Sequence, residues 1–147
     1  MTRGKIVGYC SLAVLLALYV VGAVSGTPGS LRHQVQTLPL WFPIVAGLRH
    51  RELAKWAALP CFIFWLGIMI VIWLFLLGWA RIISGHFFPS EIAMTLVVGA
   101  ASAVGIAACV GWRTRVRALA SSAMFLLFAV LQFLAFRLSL IPYIARR

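Results

Sequence analysis

Acidic residues are almost absent from this chain of 147 residues, in which Glu52 and Glu91 are the only two. Acid–base catalysis by carboxylates needs titratable groups close together beside a cleft. A long apolar segment, residues 57–80, separates the two glutamates. If this segment crosses a membrane, the glutamates lie on opposite faces, and one copy of the chain cannot supply a carboxylate pair.

Cysteine and histidine are also scarce, with three of each. The cysteines lie within apolar segments, their number is odd and no CxxC pair occurs, so we expect small buried side chains rather than a disulfide framework. His33 and His50 precede the apolar segment 57–80 and His86 follows it, which leaves two histidines without a third ligand. We therefore expect no metal site and no cofactor.

What the chain has in abundance is apolar side chains: 64% of its residues are hydrophobic and its mean hydropathy is +1.07. Soluble globular domains are about 45–50% apolar. A soluble fold of this length buries too little surface to hide so many apolar side chains. The composition therefore predicts an all-α integral membrane protein.

Four apolar segments reach the length of about 20 residues that a transmembrane helix needs. They are residues 6–24, 57–80, 92–112 and 118–136, and we expect them to form one transmembrane helical domain over residues 1–147. The first segment has a basic start like a signal peptide, but its longer apolar run favours a retained helix. The connections after the second and third segments are short, so the last three helices should be antiparallel neighbours. We expect the fourth helix to end near Phe136, with the following residues along the membrane surface.

The long connection, residues 25–56, contains the sequence LPLWFPIVAGL at residues 38–48. This apolar stretch is about half the length that a membrane-spanning helix needs. Pro39 disfavours a helical conformation at Leu38 and predicts an extended start, whereas Pro43 suits the first turn of a helix. We expect an apolar elbow here, either interfacial or shallowly re-entrant, between the first and second transmembrane helices.

Basic residues give the chain a net charge of +11, from 13 lysines and arginines against two acids. They flank the apolar segments, where each attracts anionic lipid headgroups by roughly 1 kcal/mol. No basic run is longer than RTRVR, so we expect no nucleic-acid partner. Glu52 stands at helical spacing from Arg49 and Lys55, which predicts an exposed ion pair with one of them. The residues expected to contact lipid headgroups or partner subunits at the surface are Trp41, Phe42, Arg49, Arg51, Glu52, Lys55, Arg113, Arg115 and Arg117.

The charges leave the orientation in the membrane open. If the N-terminus is cytoplasmic, six cations lie inside: Arg3, Lys5, Arg81, Arg137, Arg146 and Arg147. The opposite orientation puts seven inside: Arg32, Arg49, Arg51, Lys55, Arg113, Arg115 and Arg117. A difference of one cation is too small for the positive-inside rule to choose between the two orientations, although the tight RTRVR loop favours the second one. Four spans predict that both ends of the chain lie on one side.

Small and polar side chains within the apolar segments predict helix–helix packing. The third segment carries small residues at a spacing of four, which lets helix backbones approach closely. Gln132 is the strongest polar side chain deep within a segment, and we expect it to hydrogen-bond to a neighbouring helix. The residues expected at helix-packing contacts are Gly99, Ala103, Gly105, Ala107 and Gln132.

Two tryptophans of the second segment, Trp65 and Trp73, belong to an aromatic stripe at helical spacing. Deep in hydrocarbon, their indole N–H groups need a hydrogen-bond partner. The stripe has two interpretations. It is either bulk that packs the bundle or faces lipid, or a docking face for another protein's helix, a lipid, a quinone or a pigment.

A small non-catalytic polytopic membrane protein agrees best with these features, and an accessory or structural subunit of a larger membrane complex is the main hypothesis. We expect it in a bacterial cytoplasmic membrane, with membrane lipids and other membrane-protein subunits as partners. One alternative is a small oligomeric channel or transporter, its path lined by Gln132, Arg137 and the small residues of the third segment. Another is a membrane enzyme acting on lipid headgroups, centred on His50, Glu52 and the neighbouring arginines.

Overall fold

The computed structural model describes residues 2–24, 30–79 and 87–141 of the chain. Within these ranges every regular element is a helix, which confirms the predicted all-α fold class. The elements are α1 (Arg3–Val24), α2 (Ser30–Thr37), a 3-10 helix (Leu38–Leu40), α3 (Trp41–Leu48), α4 (Leu53–Leu76), α5 (Pro89–Gly111) and α6 (Ala118–Ser139).

Four of these helices, α1, α4, α5 and α6, are 22 to 24 residues long, with mean hydropathies between 2.1 and 2.6. At 1.5 Å per residue each covers the roughly 30 Å of a bilayer's hydrocarbon core. They correspond to the four predicted spans and indicate a membrane protein. Their ends differ by a few residues from the prediction: α4 begins at Leu53, and α6 continues past Phe136, so that Arg137 lies within the helix. The expected surface segment after α6 falls largely on residues 142–147, outside the described residues.

The start of α5 shows how the sequence sets a helix end. Pro89 occupies the first helical position, where its missing N–H costs nothing and its fixed backbone angle suits the helix. Glu91 lies in the same first turn, and its Oε2 accepts a hydrogen bond of 3.0 Å from the Phe88 N–H. The carboxylate therefore satisfies a backbone donor at the positive end of the helix dipole.

The connection between α1 and α4 differs from the predicted elbow, which is not confirmed. From Ser30 to Leu48 the backbone is helical throughout, with the 3-10 helix joining α2 to α3; we call this run the broken helix. The expected extended conformation at residue 38 is wrong, because Pro39 sits at the start of the 3-10 helix, where no N–H is needed. Thr37 and Leu40 on either side also have right-handed helical angles.

The broken helix runs antiparallel to α1 over most of its length. A methyl group at Gly22, near the end of α1, would lie 3.0 Å from the His33 ring, and one at Gly8 would lie 2.9 Å from the Leu48 amide nitrogen. As the numbering falls from Gly22 to Gly8 on α1, it rises from His33 to Leu48 on the broken helix. The connection therefore returns from the far end of the bundle to the end where α1 begins.

The contacts with α6 give the same direction. Gln36 Nε2 donates a hydrogen bond of 2.9 Å to Ser139 Oγ, and further along the broken helix Phe42 packs on Phe128 with ring centroids 5.2 Å apart. The described residues consequently make five helical passes: α1, the broken helix, α4, α5 and α6. Thr2 and Ile141 lie at opposite ends of the bundle, whereas four spans predicted both ends of the chain on one side.

The helices are arranged around α4, which packs against α5 on one side and α6 on the other. α1 packs against α5 and the broken helix, and the broken helix completes the bundle against α6. α5 and α6 do not pack along one another, contrary to the expectation for helices joined by a short connection. Residues 112–117 between them are not helical, and six extended residues reach roughly 20 Å, far enough to step across α4.

Candidate functional site

One end of the bundle gathers three segments that are distant in the sequence. Thr2 Oγ1 lies 2.8 Å from His50 Nδ1, which joins the beginning of α1 to the end of the broken helix. The Arg3 guanidinium lies against Gly111, and the Trp112 ring lies beside Gly4, so the end of α5 also meets α1 here. We call this the basic end.

The basic end holds most of the positive charge. Two further described cations, Arg32 and Arg137, lie toward the opposite end, whereas Arg81, Arg146 and Arg147 are outside the described residues. The cations at the basic end number eight: Arg3, Lys5, Arg49, Arg51, Lys55, Arg113, Arg115 and Arg117. The broken helix explains this asymmetry, because its return pass brings residues 49–55 to the same end as the beginning of α1.

Glu52 and Lys55 tie the start of α4 to the connection between α5 and α6. Glu52 Oε2 accepts a hydrogen bond of 2.8 Å from the Arg115 N–H. Lys55 Nζ donates one of 2.7 Å to the Trp112 carbonyl and lies 4.6 Å from the centre of the Trp56 ring. Among the described residues Glu52 thus pairs with a backbone amide rather than with Arg49 or Lys55 as expected.

A glycine crossing fixes the broken helix to α1 at the basic end. A methyl group at Gly47 would lie 2.8 Å from the Gly8 amide nitrogen and 2.9 Å from the Gly4 carbonyl oxygen. Only hydrogen fits between these backbones, as in other close helix crossings through small residues. Sequence reasoning missed this contact, although the spacing of four between Gly4 and Gly8 is the signal that could have found it.

Beside the basic end, an open cleft of about 340 Å³ lies between α3 and the start of α4. α3 and α6 meet where Phe42 packs on Phe128, but they are not packed together from there to the basic end. The uncovered side of α3 forms the apolar wall of the cleft, and two arginines form its rim. The lining residues are Phe42, Val45, Ala46, Arg49, Arg51 and Leu53.

The tryptophans proposed as contacts occupy different environments. Trp65 is 2% exposed and packs in the core, so its side chain is not available on an outer surface, and its Nε1 has no hydrogen-bond partner among the described residues. Trp73 is half-buried and donates a hydrogen bond of 3.1 Å from Nε1 to Thr95 Oγ1 of α5. Trp41 is 49% exposed on α3, where it can meet lipid or a partner.

The small residues of α5 divide between two sides of the helix. Gly105 is buried beneath the Phe62 ring, and a methyl group at Gly99 would make an ordinary contact of 3.8 Å with Met69 Cβ. This side packs against α4. Ala103 and Ala107 are exposed and point away from the bundle. The predicted small-residue helix therefore has one side within this chain and another that is left uncovered.

Gln132 belongs to a polar cluster toward the opposite end of the bundle. It is fully buried, and its Nε2 donates a hydrogen bond of 3.1 Å to the Gln36 carbonyl. Gln36 in turn bonds to Ser139 Oγ, and its Oε1 lies 3.1 Å from His33 Nδ1. Gln132 thus links α6 to the broken helix, whereas its Oε1 has no partner among the residues that the structure describes.

Within the described ranges, no group of three or more histidine, cysteine or acidic side chains converges as a metal site would require. His86, one of the histidines considered from the sequence, lies outside those ranges. No protein-family model matches the chain, and comparison with curated proteins and with solved structures finds no match either. The basic end, the cleft and the uncovered side of α5 are the features from which a function can be argued.

Proposed function

We propose that this chain is a small non-catalytic membrane protein that serves as an accessory or structural subunit of a larger membrane complex. The bacterial cytoplasmic membrane is its proposed location. The observation that carries the proposal is the uncovered side of α5. Helices in a bilayer associate where small residues let their backbones approach closely. Large apolar side chains give no comparable driving force, because lipid tails surround them as favourably as another helix does.

The outward sides of α5 and α6 differ in a way that supports this proposal. On α5, Ala100, Ala103 and Ala107 are exposed at spacings of three and four, with the larger exposed side chains Val104 and Val110 beside them, so that a second helix could approach the backbone along the alanines. On α6, the exposed residues are bulky, as lipid-facing residues usually are; they include Leu126, Leu127, Val130, Phe133 and Leu134. The two helices therefore offer a candidate partner face and a matched lipid face within one chain.

The charge distribution supports an orientation for this subunit. Loops on the cytoplasmic side of membrane proteins carry an excess of lysine and arginine. Since eight of the 13 cations lie at the basic end, two at the other end and three outside the described residues, the basic end is proposed to face the cytoplasm. The N-terminus would then be cytoplasmic. The sequence alone left this orientation open, because four spans divided the cations almost equally between the two faces.

Purification in mild detergent tests the proposed role. We expect the tagged chain to retain an unrelated membrane protein at a fixed stoichiometry. Ala103→Phe with Ala107→Phe should remove that protein, because two rings on the outward side of α5 keep a partner backbone away. Leu127→Phe with Val130→Phe on α6 is the matched control and should retain it. A chain that purifies only with copies of itself, or alone from its native membrane, contradicts the proposal.

A transporter is the second candidate, and the polar cluster around Gln132 favours it. Polar groups deep within a bundle are costly and often mark a substrate path. Since Gln132 faces the broken helix of its own chain, such a path would run within one copy rather than along the axis of a ring. Solute flux through liposomes containing the purified chain, abolished by Gln132→Leu, would support this candidate over the accessory role.

A further inference from the structure

We propose that the cleft beside the basic end binds an anionic phospholipid of the surrounding bilayer. One acyl chain would lie along the apolar wall of α3, and the phosphate would bind the arginines at the rim. This inference rests on the membrane location in the proposed function but not on the existence of a partner subunit. It assigns a defined site to the general attraction between the basic end and anionic lipid.

The shape of the cleft suits an acyl chain that enters from the side. Phe42, Val45 and Ala46 share one side of α3 with Arg49, because residues three and four apart align along a helix. Since α3 and α6 separate beyond the Phe42–Phe128 contact, the wall is open at Val45 and at the exposed part of Phe42, whereas Ala46 is buried at its base. Phe42 and Val45 are 41% and 46% exposed, and the volume of about 340 Å³ lies within the range of ligand pockets, roughly 300–1,000 Å³.

The rim of the cleft is built for an anion. Arg49 and Arg51 both line it, whereas His50 between them turns away to Thr2. His50 has a φ of 55°, a left-handed conformation that ends α3 and reverses the local direction of the chain. This conformation is uncommon for residues other than glycine, although histidine adopts it more readily than most. The result is that two arginines separated by one residue reach the same opening.

The charges of these arginines are available to a ligand. Both side chains are exposed, and the nearby carboxylate of Glu52 accepts the Arg115 N–H rather than pairing with either of them. Guanidinium groups bind phosphate oxygens with two parallel hydrogen bonds, which an ammonium cannot do. A ligand with a phosphate and an apolar tail can bind the arginines of the rim and contact the apolar wall at the same time. In a bilayer the ligand with both groups is a phospholipid.

Lipid binding to the purified chain in detergent, measured by native mass spectrometry, tests the proposal. The probes are phosphatidylglycerol and phosphatidylcholine with identical acyl chains. We expect tighter binding of phosphatidylglycerol, and at least roughly 30-fold weaker binding after Arg49→Gln with Arg51→Gln, from about 1 kcal/mol or more for the charge-assisted hydrogen bonds of each arginine to the phosphate. Arg113→Gln with Arg117→Gln removes the same charge from the same end outside the cleft. It removes general attraction to headgroups but no hydrogen bond to the bound phosphate, so it should weaken binding clearly less than the Arg49 and Arg51 variant does.

A second variant fills the wall without changing charge. Val45→Trp should weaken the binding of phosphatidylglycerol, and the variant should fold because Val45 is exposed in the cleft. Equal loss in the two arginine double variants would overturn the proposal in favour of diffuse attraction to the whole basic end. Displacement of phosphatidylglycerol by inorganic phosphate at equal concentration would also overturn it. If the Arg49 and Arg51 variant loses phosphatidylglycerol but still retains a partner subunit, the lipid site and the partner face on α5 are independent of each other.

Discussion

Replacing Gly47 by alanine perturbs the broken helix at its closest contact with α1. The new methyl group would lie 2.8 Å from the Gly8 amide nitrogen and 2.9 Å from the Gly4 carbonyl oxygen. All of these neighbours are backbone atoms of a helix, so no side chain can rotate away. The two helices must move apart, and the contact between the start of α1 and the end of the broken helix is lost.

The magnitude follows from comparing Gly47→Ala with Gly67→Ala. Favourable contacts between heavy atoms begin at about 3.5 Å, so the Gly47 methyl group forces a displacement of roughly 0.7 Å. Such overpacking usually costs about 1–3 kcal/mol. Gly67 lies within α4 and a methyl group there meets nothing within 4 Å. Alanine also gains helix propensity over glycine, up to about 1 kcal/mol at Gly67 in the middle of α4 and less at Gly47 near the end of α3, so both effects lower the stability of Gly47→Ala relative to Gly67→Ala.

The assay is thermal unfolding of both variants in the same detergent, followed by tryptophan fluorescence. We expect Gly67→Ala to unfold at or slightly above the temperature of the unmodified chain. Gly47→Ala should unfold lower than Gly67→Ala by roughly 2–12 °C, at 2–4 °C for each kcal/mol. Equal unfolding temperatures for the two variants would refute the close crossing, and with it the antiparallel docking of the broken helix on α1.

Three further substitutions or reactions test other contacts in the bundle. Gly105→Ala should lower stability by about 1–3 kcal/mol, because its methyl group would overlap the Phe62 ring, and adding Phe62→Leu should recover part of the loss in a double-mutant cycle. Gln132→Leu should lower stability by about 1 kcal/mol, because it removes the hydrogen bond to the broken helix; an unchanged unfolding temperature would contradict that role. A maleimide should label Cys10, which is partly exposed to lipid or detergent within α1, more slowly than a cysteine in water, because it reacts with the thiolate, and it should reach the two fully buried cysteines only after denaturation.

The four long helices could be predicted from the sequence because each is a continuous apolar run. The broken helix could not, because its first half carries Arg32, His33 and Gln36 and its second half is too short to span alone. Within the bundle such polar side chains can form hydrogen bonds with residues distant in the sequence, which a local sequence pattern does not reveal. Gln36, for example, bonds to Ser139, which is about a hundred residues away in the chain.

The sequence predicted which residues belong to the candidate site but not how they come together, because local patterns do not reveal tertiary contacts. The cations of the basic end, such as Arg49 and Arg115, could be identified from their positions beside apolar segments. Their gathering at one end could not, because it takes two helical passes, α1 and the broken helix, to bring residues 49–55 back to the end where α1 begins. The count of six cations against seven assumed four passes, and it therefore divided the basic end between two faces.

The location of the two chain ends relative to the membrane tests the five-pass arrangement most directly. Green fluorescent protein and alkaline phosphatase, fused in turn to each end and expressed in a bacterial host, report cytoplasmic and external locations respectively. We expect fluorescence without phosphatase activity at the N-terminus and phosphatase activity without fluorescence at the C-terminus. The same reporter active at both ends would contradict the passage of the broken helix through the bundle, because an even number of crossings returns the chain to the side where it began.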